Sequence, residues 1–149
     1  MSCSIVTTER RLTAVIRSKV PFAGIPDAQR AARSTLAATL PTLDAGVVGQ
    51  GITRFLTPAD GALDMEMGCI VARRFDDEGD VVLSELPAGR AAHYSMKGSF
   101  AGLPGAWQTL FEWCAREGLT PSGTNWEIYG SEEDADLYVL LAGVGKGPR

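Results

Sequence analysis

The chain has 149 residues, 45% of them hydrophobic, with 14 basic side chains against 18 acidic ones and a formal net charge of −4. That length suits one domain, or two small halves sharing a core. The acidic balance argues against a nucleic-acid partner, and no apolar run reaches the roughly 20 residues that cross a bilayer, which argues against a membrane.

The N-terminus, MSCSIVTTERR, has no apolar stretch after its charges, so no secretory leader is expected. Arg10, Arg11, Arg17, Lys19, Arg30 and Arg33 crowd the first third, and Glu132, Glu133, Asp134 and Asp136 lie near the end. So mild an asymmetry reads as two solvated faces. In RLTAVIRSKV, Leu12, Ala14 and Ile16 alternate with Thr13, Val15 and Arg17, the pattern of a half-buried strand. FAGIPDA follows at residues 22–28 and returns as FAGLPGA at 100–106, identical at five of seven positions. Each copy turns a strand into a helix. Gly24 and Gly102 allow the bend, and Pro26 and Pro104 suit the first helical turn, where no backbone N–H is needed.

Ala28, Ala32, Leu36 and Leu40 then recur every four residues along a first helix. GVVGQGITRFL and ALDMEMGCIVA read as two strands joined by the turn TPADG. Residues 73–89 form a joint, with DDEG as a tight turn and VVLSEL as a short strand. GRAAHYSMKGS is the next strand, with Ala92, Tyr94 and Met96 on one side. The second helix carries Leu103, Ala106, Trp107, Leu110, Phe111, Trp113 and Cys114 on one broad face and closes at Gly118 as a left-handed cap. TNWEIYG and ADLYVLLAGV complete the pattern across SEEDAD, and GVGKGPR is a frayed end.

The chain therefore reads as β-α-β-β twice, an α+β fold with pseudo-twofold symmetry. One such unit has a single helix to cover its sheet, too little for independent stability. Two units sharing one antiparallel sheet put both helices on one face and leave a cleft on the other. The first half spans 5–72, the joint 73–89, the second half 90–142 and the tail 143–149.

No catalytic or cofactor motif stands out. His93 is the single histidine, no G-x-S-x-G elbow accompanies it, and it reads as a strand histidine with a local role. The glycines of GVVGQG fit neither phosphate-binding spacing. Cys3, Cys69 and Cys114 lack metal-ligand spacing and are odd in number. No cofactor, metal or disulfide framework is expected, and a reducing cytoplasm is the expected location. Cys69 and Cys114 lie in apolar runs and read as packing.

The stretch LPAGRAAHYSMKGSFAGLPGAWQTLFEWCAREGLTPSGTNWEIYGSEEDADLYVLL resembles the second half of GyrI-like small-molecule-binding domains, the effector-binding domains of many bacterial multidrug-responsive regulators. LPAG before a strand, Gly98 before an aromatic and a helix, LFEWCAREGL, and Glu127 within WEIY carry the resemblance, and DMEMGCIVA matches in the first half. It covers most of residues 5–142 and implies the same doubled fold. Regulators of this kind carry a DNA-binding segment ahead of this domain. Here the first strand begins within about a dozen residues, so a stand-alone domain is expected.

Strand alternation nominates the site. Trp126 and Ile128 share one face of NWEIYG, and Asn125, Glu127 and Tyr129 share the other. With the apolar pair under the helices, Glu127 projects onto the helix-free face beside Tyr138 and Leu140. Alone, such a glutamate reads as solvated. The resemblance implies instead that Glu127 is the central acid of a pocket ringed by aromatics, where it could hold a desolvated cation. Tyr129, Tyr94 and Phe55 are further candidates. Trp113 sits at the edge of its helix face, where it could tilt toward a pocket mouth, whereas Trp107 reads as core. Glu66 holds in DMEMGC the place Tyr138 holds in DLYVLL. It would point to the same cleft, although an exposed edge residue is the plainer reading.

Three functions follow. The first is a stand-alone sensor or scavenger of small hydrophobic, cationic or aromatic molecules. The second is a hydrolase of reactive cyclopropane-type toxins, with Glu127 as general base aided by Tyr138, which the resemblance also implies. The third is a protein-binding inhibitor, such as of gyrase; a missing apolar pocket would favour it. The sequence names neither the ligand nor an oligomeric state.

Overall fold

A computed structural model describes residues 3–56 and 63–142. In chain order these form β1 (Cys3–Thr8), β2 (Arg11–Val20), α1 (Ile25–Thr39), β3 (Val47–Leu56), β4 (Leu63–Val71), β5 (Val81–Leu86), β6 (Gly89–Met96), α2 (Leu103–Arg116), β7 (Pro121–Tyr129) and β8 (Ala135–Leu141). Each FAG becomes one turn of 3-10 helix, with the following proline in the first turn of the α-helix. Gly118 takes φ +72° at the end of α2, and Leu119 N–H bonds the Cys114 carbonyl across it at 2.9 Å. That is a Schellman closure, with glycine in the left-handed conformation other residues resist. The turn TPADG and the tail 143–149 fall outside the described residues.

All strands pair antiparallel in one eight-stranded sheet of order β1-β6-β8-β7-β3-β4-β2-β5. Reversing that order exchanges the two halves strand for strand, so the pseudo-twofold axis passes between β3 and β7. Each half has one strand beyond β-α-β-β: β1, which the sequence pattern did not show, and β5, which it placed in the joint. β1 and β5, the VVLSEL of the joint, pair with β6 and β2 of the opposite half.

The order also dictates curvature. In a flat sheet β1 and β2 would lie six strand spacings, about 30 Å, apart. Glu9 and Arg10 alone join them, a reach of about 10 Å. The sheet must curl, and the Thr8 hydroxyl donates to the Pro87 carbonyl at 2.9 Å where the two short connections meet.

Both faces are consequently filled. On the helical face, Ala32 and Leu36 of α1 pack on Ala14, Met67, Cys69 and Val71, while Ala106, Leu110 and Cys114 of α2 pack on Ala92, Met96, Leu137 and Val139. Inside the curl, all eight strands contribute to a third cluster: Val6, Val15, Ile52, Ile70, Leu86, Ala91, Trp126 and Leu140. The helix-free face thus carries a packed core of its own, and the cleft expected there is confined to the side of the β1–β2 turn. The sequence pattern alone gave no sign of that core, because a curled sheet buries the side that a flat one leaves open.

Candidate functional site

Directly paired strand residues share a face. Glu127 pairs with Leu137 of β8 and Thr53 of β3, whereas Trp126 pairs with Tyr138 and Arg54. Leu137 packs under α2, so Glu127 lies on the helical face and Trp126 lies inside the curl. The alternation read from the sequence was right and the assignment of faces was inverted. Trp126 and Ile128 had a second core to enter.

Above Glu127 the two helices stand apart over the central β3–β7 pair and leave a cavity of about 660 Å³. The repeated phrase forms its two sides. Ile25 and Pro26 line one, and their counterparts Leu103 and Pro104 line the other. Phe55, Phe100, Trp107 and Phe111 supply aromatic walls, and Asn125 joins Glu127 on the floor. The rings pack on one another: Trp107 stacks on Phe111 with centroids 5.7 Å apart and meets Phe55 edge-on at 6.3 Å. Phe100 meets Tyr129 edge-on at 5.6 Å.

Glu127 is only 4% exposed. Trp107 Nε1 donates to its Oε2 at 2.6 Å, and the Tyr129 hydroxyl donates to its Oε1 at 2.5 Å. Tyr129 has one proton to give, so the Thr53 hydroxyl, 2.6 Å away, supplies its own to the phenol oxygen. Gln29 Nε2 lies 3.4 Å from Thr53 Oγ1 and extends the row. Both direct donors come from the second half, and the first half reaches the carboxylate through Thr53 and the Tyr129 hydroxyl. Among the described residues no lysine or arginine pairs with it.

Burial pushes the Glu127 carboxyl above its ordinary value, and the bonds from Trp107 and Tyr129 hold it down only in part. The Tyr129 phenol is raised as well, by burial first and then by the nearby carboxylate. It stays protonated and keeps donating. Such a site has one buried negative charge, neutral donors and aromatic faces. It can hold a cation, or it can move a proton.

Of the residues named from the sequence, Glu127 and Phe55 line this cavity, and Tyr129 bonds Glu127 from behind. Tyr138 does not belong with them. It lies on the opposite face, its ring stacked on Trp126 at 5.2 Å and 13°, because Leu137 takes the place beside Glu127. Glu66 also lies on that opposite face, 5% exposed and bonded by Arg17 Nε at 2.9 Å and Ser84 Oγ at 2.8 Å, with Arg54 at 3.5 Å. It is a buried ion-pair centre, neither a cleft acid nor an exposed edge residue. Tyr94 and Trp113 pack against the α2 cluster, away from the cavity. His93 bonds Asp136 at 2.8 Å, a local role.

Trp107 was read as core and is instead a direct partner of Glu127. The repeat held the signal, since Trp107 stands where Gln29 stands in the first copy and both bond the residues facing each other at the axis. Thr53, Asn125, Phe100 and Phe111 had no comparable signal. Among the described residues no cluster could hold a metal ion, and no helix is long and apolar enough to cross a membrane.

Solved structures share this architecture. The protein SAV2435 bound to tetraphenylphosphonium superposes with a TM-score of 0.70 at 11% identity, over 99% of this chain and 98% of that one. The EcmrR C-terminal domain gives 0.75 at 16% identity, over 96% and 98%. A hydrolase from Listeria innocua gives 0.59 at 12% identity, over 94% and 91%. At such identities the likeness is one of fold. No curated protein sequence matches the chain. The model of the GyrI-like small molecule binding domain matches residues 1–141, and the chain belongs to that family.

Proposed function

We propose that this protein is a cytoplasmic sensor or scavenger that binds small hydrophobic cations between its two helices, with Glu127 as their counter-charge. One observation carries the reading: a buried carboxylate, held by two neutral donors and with no basic partner among the described residues, forms the floor of an aromatic cavity. A cation entering there relieves the cost of burying that charge, and ring faces add cation–π attraction. Tetraphenylphosphonium, the ligand bound to SAV2435, is the natural probe. Calorimetric titration should show saturable binding of tetraphenylphosphonium and much weaker binding of neutral triphenylphosphine oxide. Equal affinities would remove the counter-charge role.

A second reading, hydrolysis, is favoured by the Glu127–Tyr129 pair. A carboxylate with a raised pKa can take a proton from water attacking an electrophilic carbon, and the phenol can steady it. Mass spectrometry of strained electrophiles incubated with the protein separates the readings. Steady conversion makes it a hydrolase, and intact recovery leaves binding. The inhibitor reading loses its expected support, because an apolar cavity is present.

A further inference from the structure

Two unlike trios of side chains lie on the helix-free face, one in each half. In one half, Arg17, Glu66 and Arg54 lie on paired strand positions and satisfy one another as ion pairs. In the other half, His93, Tyr138 and Trp126 also lie on paired strand positions. These form a ladder of rings, with His93 to Tyr138 at 4.9 Å and Tyr138 to Trp126 at 5.2 Å.

Beside the ladder is a cleft of about 740 Å³, separated from the Glu127 cavity by the sheet itself. Its floor is Trp126, Tyr138, Ile70 and Ile128, and its rim is the β1–β2 turn with Arg10 and Arg11. Among the described residues the Tyr138 hydroxyl makes no hydrogen bond, and Arg11 has no acidic partner although its charge reaches Tyr138. Arg10 is spoken for by Glu85 at 3.6 Å, and His93 by Asp136. Glu9 is the single acidic lining residue against two arginines, in a chain whose net charge is −4. An aromatic ligand here has apolar side chains and the half-buried Tyr138 ring to pack against, and an anionic group beside it meets two unused donors, the guanidinium and the phenol.

We propose that this cleft is a second ligand site, selective for planar aromatic carboxylates, independent of the Glu127 cavity and opposite to it in charge preference. The probe is 2-naphthoate, titrated by calorimetry into the wild type with and without saturating tetraphenylphosphonium. The expected result is one saturable site that tetraphenylphosphonium does not displace and that Glu127→Gln leaves intact. Arg11→Gln should weaken it about tenfold, as should a move to high salt. Arg11 is exposed, so this variant folds. Tyr138→Phe keeps the ring and should cost a few-fold by removing the hydroxyl. No saturable binding, displacement by tetraphenylphosphonium, or an affinity that Arg11→Gln leaves unchanged would each overturn the proposal.

Discussion

Thr53 and Glu127 face each other across the central β3–β7 pair, both buried, and the Tyr129 hydroxyl touches both. The carboxylate is therefore built into the seam between the halves. Its donors arrive from α2, from its own strand and, through Thr53, from β3 and α1.

Removing the indole donor tests that seam. Trp107→Phe keeps a ring against Phe55 and Phe111 but leaves Oε2 of Glu127 without its partner. The expected loss is about 1–3 kcal/mol in urea unfolding, together with a further rise in the Glu127 pKa, read by NMR titration. An unchanged Glu127 titration would show that the indole bond does not hold the carboxylate.

The raised Glu127 pKa fixes a sign. Between the ordinary value of 4.5 and the higher folded value, the folded state binds the proton more readily than the unfolded one. Stability contributed by this group is therefore full at low pH and lost as pH rises through the folded value. Glu127→Gln lacks that dependence. Its melting temperature should gain on the wild type as pH rises from about 4.5, whatever the offset between them at the start. A difference that stays flat with pH would contradict the raised value. Cation binding obeys the complementary rule, since a cation favours the carboxylate, so affinity should fall as pH drops through the same range.

Much of this was legible in the sequence. The doubled FAG(I/L)P gave the two helices, their proline starts and the pseudo-symmetry, because turn and helix-start chemistry is local. Alternation correctly grouped Asn125, Glu127 and Tyr129 against Trp126 and Ile128. It could not say which group met the helices, since that depends on β1 and β5 crossing to the other half and curling the sheet. Tyr138 does lie on the helix-free face, so the inversion in β7 alone separates it from Glu127, since adjacent strand residues point to opposite faces. Trp107 looked like core because an apolar helix face and a pocket wall carry the same residues.

Glu66 has a structural role that mutation can isolate. Glu66→Ala strips Arg54, whose side chain is 19% exposed, of its acidic partner and leaves Ser84 without its acceptor. About 3 kcal/mol or more should be lost in urea unfolding. Tetraphenylphosphonium affinity at a temperature where the variant is folded should stay within a few-fold of wild type. A large loss of affinity would put Glu66 in the ligand site after all.

Trp126 offers the contrasting case of a buried aromatic outside the Glu127 cavity. Trp126→Ala empties the interior of the curl and should cost about 3–5 kcal/mol, a large share of a small domain's stability. Trp126→Phe should recover much of that and bind tetraphenylphosphonium as the wild type does. Loss of cation binding in a folded Trp126→Phe protein would mean the two sheet faces are coupled.

The most direct test of the central claim is a paired calorimetric titration of tetraphenylphosphonium into wild type and Glu127→Gln at neutral pH. With Glu127 as the counter-charge, the variant should stay folded and bind at least about tenfold more weakly. Equal affinity in the two proteins would contradict the account, leaving the carboxylate a structural element of the β3–β7 seam.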